Sequence, residues 1–97
     1  AAVRMLREQK LEGERLLEAA RSALGSDRAL LSPDEQRLIE QQMQRLEAAL
    51  ATAERAGITQ CIELLQRETD EFAARRMNAA IHQALAGRHA AELAAEL

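Results

Sequence analysis

Few side chains in this sequence belong to types that could do chemistry, and their spacing decides what each can be. Cys61 is the single cysteine. A lone thiol could act in redox chemistry or bind a metal, but no other Cys or His stands at ligand spacing from it. Its position borders an apolar stripe, so it reads as a semi-buried structural residue, and it cannot form an internal disulfide. His82 and His89 are separated by two helical turns, whereas helical metal sites pair ligands one turn apart. The glutamates include no pair isolated in an apolar setting, which leaves raised carboxylate pKa values and acid–base catalysis unmotivated. Arg75 and Arg76 could dock an acidic partner, or make surface ion pairs on a helix. No glycine-rich phosphate loop is present. No catalytic, cofactor-binding or metal-binding residue is therefore assigned, and the chain is not expected to be an enzyme.

Function then has to come from the elements that carry these residues. The 97 residues are enough for one domain, residues 1–97, burying about two-thirds of its unfolded surface. The balance of Ala, Leu, Glu, Gln and Arg, with one Pro, one Phe and no Trp or Tyr, is that of a helical bundle. Acidic and basic residues interleave to a net charge of −3, which gives no basic footprint for nucleic acid, and base-stacking aromatics are missing. No apolar run reaches the roughly 18 residues that a membrane span requires, and no signal-peptide pattern opens the chain. A soluble, cytoplasmic protein is expected.

The predicted fold is an all-α, antiparallel three-helix bundle. A long first helix covers Val3 to Leu24 with Val3, Leu6, Leu16, Leu17, Ala20, Ala23 and Leu24 as its apolar positions. Gly13 lies inside it as a small residue for close packing, and Gly25 supplies the stop. This helix lacks an N-cap signal, as though cut from a longer one. "SPDE" at Ser32 to Glu35 is a capping box with Pro at the first helical position. It opens a second helix from Pro33 to about Ala51, with Leu38, Ile39, Met43, Leu46, Ala49 and Leu50 inward. Gln36, Arg37, Glu40, Gln44, Arg45 and Glu47 face water. Thr52 is read as the N-cap of a third helix running from about Glu54 to about Ala86, with Gly57 inside it; the alternative is a stop at Gly57 and a restart at Thr59, and the tail "RHAAELAAEL" could prolong the helix or fray. Glu63 with Arg67, and Glu71 with Arg75, stand four apart in the favourable acid-first order.

At about 1.5 Å per residue the second helix is roughly 28 Å long and the third roughly 50 Å. Short connections make neighbours antiparallel, so the third helix overhangs the start of the second. The overhang is Glu71 to Gly87, where Phe72, Ala73, Arg76, Met77, Ala80, Ile81, Ala84 and Leu85 recur at three- and four-residue steps along one predicted side. That side must meet Leu24, Leu30 and Leu31, or a second copy of the chain.

The run "REQKLEGERLLEAARSAL", then "ALLSPDEQRLI", then "ETDEFAARRMNAAIHQALAG" resembles the C-terminal helical lid of the HscA family, the DnaK-like branch of the seventy-kilodalton heat-shock chaperones dedicated to iron–sulfur cluster assembly. The likeness extends from about Arg4 to Gly87. "FAARRM" at Phe72 to Met77 is its most specific part, and "ALLS" at Ala29 to Ser32 comes second. The resemblance implies a parent with an ATP-binding domain and a peptide-gripping β-sandwich, both outside these residues. The lid would close over bound client and slow its release under nucleotide control. Partners implied for the parent are the scaffold protein IscU and the J-protein HscB, with ATP as cofactor there and none in this segment. The client motif, a Leu-Pro-Pro-Val-Lys segment, would be held by the sandwich, so no peptide- or ATP-contacting residue carries over to this chain, and Cys61 gains no cluster role.

The alternative reading is a free-standing helical adaptor that dimerises through its first and third helices. Upstream nucleotide-binding and sandwich domains in the gene would favour the lid, and a short reading frame with its own start would favour the adaptor. Self-association of the isolated segment is expected, because without a sandwich one side of the first helix is bare.

Overall fold

The computed structural model describes residues 2–96, with side-chain surroundings for residues 3–88. Three α-helices follow one another: α1 (Ala2–Asp27), α2 (Pro33–Leu50) and α3 (Arg55–Glu96), with a single 3₁₀ turn at Arg28–Leu30 between the first two. At the helical rise, the 42 residues of α3 extend about 63 Å, which matches the 65 Å long axis of the molecule.

Cross-helix contacts fix the directions. Gln9 on α1 donates to Thr59 Oγ1 on α3 at 2.7 Å, and Arg76 on α3 reaches Asp27 at the far end of α1 at 2.8 Å, so α1 and α3 run parallel. Glu35 near the start of α2 meets Arg75 of α3, and Arg21 of α1 pairs with Glu47 near the end of α2, so α2 runs against both. The core lies along this shared axis, with Leu17 and Leu24 from α1, Ile39 and Leu46 from α2, and Ile58, Leu65 and Phe72 from α3. The antiparallel three-helix bundle expected from the sequence is the observed architecture.

The capping box forms in full. Glu35 N–H donates to Ser32 Oγ at 3.2 Å, and Ser32 N–H donates to Glu35 Oε1 at 2.9 Å, with Pro33 in the first helical turn. Gly13 is buried against α2, and a Cβ added there would stand 2.8 Å from Leu50 Cδ2 and 3.4 Å from Leu46 Cδ1. The small residue is what lets α1 approach α2 so closely.

Helix ends depart from the expected ones. Gly25 does not stop α1, which continues to Asp27 with no residue at positive φ. Asp27, two residues past the glycine, bonds to Arg76, a contact the extra half-turn of helix makes possible. At the other end α3 runs through Gly87 to Glu96, beyond the predicted Ala86. The cost of one interior glycine, about 1 kcal/mol, is offset by the Ala-rich sequence that follows. Thr52 is not the N-cap of α3. Its hydroxyl donates to Ala49 O at 2.7 Å and accepts from Glu54 N–H at 3.3 Å, and Glu54 takes the position before the helix, its carbonyl receiving Ile58 N–H.

One apolar position on α2 departs from expectation: Leu38, expected inward, is 46% exposed, and Gln42, to which the sequence assigns no side, is buried at 7%. Inward positions run Ile39, Gln42, Met43, Leu46 at three- and four-residue steps, and Leu38 sits about 100° round the helix from Ile39. Gln36 and Glu40, expected in water, bind the connection instead. Gln36 Nε2 donates to the carbonyls of Arg28 and Leu31, and Arg28 pairs with Glu40 at 2.8 Å.

The overhang of α3 differs most. Phe72 is 3% exposed and completes the core, but Met77, Ile81 and Leu85 are 66%, 50% and 56% exposed. The inward line through Ile58, Ile62, Leu65, Thr69 and Phe72 continues through Arg76 and Ala79. Met77 lies about 140° and Ile81 about 180° round the helix from Phe72. The apolar stripe that reads as one side in sequence is therefore two sides in space: a front closed by the bundle, and a back that begins where the bundle ends. Val3 is likewise exposed, at 73%.

Candidate functional site

The residues singled out for chemistry fall in separate places. Cys61 is a free thiol, half-buried and packed against the core. His82 is exposed on the overhang, and the side chain of His89 lies outside the described residues. Among the described residues no group of three Cys, His, Asp or Glu could hold a metal. An apolar groove of about 140 Å³ between α1 and α3 is lined by Leu16, Ala19, Ala23, Phe72 and Ala73 with Thr69 and Arg76 at its edge. It lacks the converging polar groups that would orient a substrate.

What the structure does bring together is a corner where all three helices meet. Arg75 is its centre. One guanidinium nitrogen, Nη1, donates to Leu30 O at 3.1 Å and to Glu35 at 2.9 Å, while Nη2 donates to Glu71 Oε1 at 2.9 Å. One side chain thus holds the 3₁₀ turn, the capping carboxylate of α2 and its own helix. Arg76, its neighbour, pairs with Asp27 and lies 5.9 Å from the centroid of the Phe72 ring, within cation–π range. Of the two acid-first pairs on α3, Glu71–Arg75 closes, and Glu63–Arg67 does not come within ion-pair distance.

Electrostatics at this corner favour fixed charges over proton transfer. The Arg75 guanidinium, together with the Ser32 backbone N–H, holds the Glu35 carboxyl down at about 2. Glu35 and then Glu71 push Arg75 further above its already high ordinary value. Both groups stay ionised across the neutral range, so they can fasten helices but cannot exchange a proton there. The part of the corner visible in sequence was the capping box and the Glu71–Arg75 spacing. The link from Arg75 to Leu30 and Glu35 spans forty or more positions and has no local signal.

In class, this is an all-helical chain related to chaperone proteins, with ionic fasteners at Arg75 and Arg76 tying its helices. In particular it is related to HscA. The chain is 47% identical over 93 residues to the chaperone protein HscA homolog of Azotobacter vinelandii, covering 95% of this chain and 15% of that protein. It is 48% identical over 91 residues to the HscA homolog of Pseudomonas putida, covering 93% and 15%. It is 44% identical over 92 residues to the chaperone protein HscA of Edwardsiella ictaluri, covering 95% and 15%. The chain thus spans about 15% of the length of these relatives. No protein-family model matches it. The described residues comprise the three α-helices and the one 3₁₀ turn. Among the described residues no helix is long and apolar enough to cross a membrane.

Proposed function

We propose that these residues are the lid of the substrate-binding part of an HscA-type chaperone, closing over bound client and slowing its release under nucleotide control in iron–sulfur cluster biogenesis. The observation that carries this reading is identity of 44–48% to HscA proteins along more than nine-tenths of the chain. Its physical form suits that role. A lid needs a long rigid helix and a bundle that stays folded while it moves, and the Arg75 and Arg76 fasteners tie the three helices at the corner where α3 leaves the bundle. Its effect falls on client dissociation, since closure blocks an exit path.

In this reading the β-sandwich of the same parent chain is the direct partner. IscU as client scaffold, HscB as J-protein and ATP act through other parts of a cytoplasmic parent. The test is client release from the parent chaperone with these residues present and deleted. Faster release on deletion supports the lid, and equal rates remove it.

A further inference from the structure

The two connections of the bundle differ in kind. Between α1 and α2, Leu31 and Ser32 are extended and Leu31 is buried. Pro33 follows, and the side chains of Gln36 and Arg75 bond the carbonyls of Arg28, Leu30 and Leu31, so this stretch is fixed. Between α2 and α3, Ala51 to Glu54 are all exposed. They include no glycine or proline, Ala51 keeps a helical conformation at φ −77° and ψ −9°, and no described residue takes a positive φ. Two alanines and a glutamate are strong helix formers. The side chain that holds this turn is Thr52, whose hydroxyl donates to Ala49 O and accepts from Glu54 N–H. The turn therefore owes its shape to α3 packing back on α2 more than to its own sequence.

We infer that this turn straightens to give a domain-swapped dimer. In it α2 and α3 form one helix from Pro33 to Glu96, about 95 Å long, and α3 of each copy packs on α1 and α2 of the other. The contacts of the bundle choose the occupant. Because α3 runs against α2, two such helices lie antiparallel about a two-fold axis near the straightened turn. Every contact that α3 makes in the single chain is then remade across copies, and twice: Phe72 in the core, Glu35 with Arg75, Asp27 with Arg76, and Gln9 with Thr59. A foreign helix would have to reproduce this set, whereas a second copy carries it. The assembly closes at two copies. Exchange requires α3 to leave its own bundle, so the dimer forms on refolding and reverts slowly. This inference does not depend on the lid reading, because it concerns only the α2–α3 turn and a second copy.

Refolding the 97-residue chain from urea at about 5 and at about 500 µM tests it, with size-exclusion chromatography and native mass spectrometry as readouts. Expected is a dimer fraction that grows with the refolding concentration and persists after dilution. Thr52→Ala should raise the dimerisation constant about tenfold, since each of two hinges exchanges the residue that bonds the turn for a better helix former. Arg55→Pro should abolish the dimer and leave the helix content of the monomer unchanged by circular dichroism. Proline fits the first position of α3 but breaks a continuous helix. Glu35→Arg and Arg75→Glu, refolded together in equal amounts, should yield mainly the heterodimer, because only across copies does position 35 then face an opposite charge at position 75. Monomer alone at both concentrations, a dimer that survives Arg55→Pro, or a statistical mixture of dimers from the charge pair would overturn the swap.

Discussion

The guanidinium of Arg75 stands 2.9 Å from the carboxylate of Glu35, and the same carboxylate caps the first turn of α2 through Ser32. A single acidic group thereby serves two purposes, fixing where α2 begins and where α3 crosses it. Arg75 belongs to the "FAARRM" run, and the two arginines of that run have a definite structural role, which is to close the corner of the bundle.

Acid should loosen that corner in a defined window. The folded-state pKa of Glu35 is depressed to about 2 from an ordinary 4.5. Its contribution is therefore complete above about pH 4.5 and is lost as pH falls towards 2. Melting temperature measured against pH should fall through that window, and Glu35→Gln, which keeps a capping side chain, should flatten the fall. A profile equally steep in the variant would show that other carboxylates set the acid response.

Phe72 is the chain's one aromatic and is almost fully buried. Phe72→Ala should cost about 3–5 kcal/mol, the range for emptying a buried aromatic site. Urea unfolding of the two proteins measures it. A midpoint unchanged by the substitution would mean that α3 is not held by this side chain.

Gln42 presents the opposite case. Its Oε1 is buried and has no hydrogen-bond partner, and a buried polar atom left unpaired costs about 1–3 kcal/mol. Gln42→Met keeps length and removes the amide, so the variant should be more stable by about 1 kcal/mol, a rise of roughly 4–8 °C in melting temperature for a domain of this size. A lower melting temperature would show that the amide is satisfied in solution.

How much of this could be read from sequence depends on the range over which each signal acts. The capping box, the Glu71–Arg75 pair and the packing role of Gly13 are local, and each stands in the structure as the residues implied. Helix ends were less legible, because Gly25 and Gly87 are local stop signals overruled by what lies beyond them: the Asp27–Arg76 contact in one case and an Ala-rich run in the other. Leu38 reads as inward because residue type cannot say which of two adjacent apolar residues, Leu38 or Ile39, the packed face takes; they stand about 100° apart, and only Ile39 is buried. The overhang misled in a similar way. Steps of three and four join Phe72 to Leu85 through either face, and only the packed bundle separates front from back. Arg75 and Arg76 could be read as surface ion pairs, but their partners forty or more positions away are set by the fold alone.

The most direct test of the lid assignment is the dissociation rate of a bound client peptide from the parent chaperone in its ADP state, measured with these residues present and deleted and set beside the rate in ATP. Slowing by a closed lid predicts that deletion raises the ADP-state rate towards the ATP-state rate and changes the latter little. Identical ADP-state rates with and without these residues would contradict it.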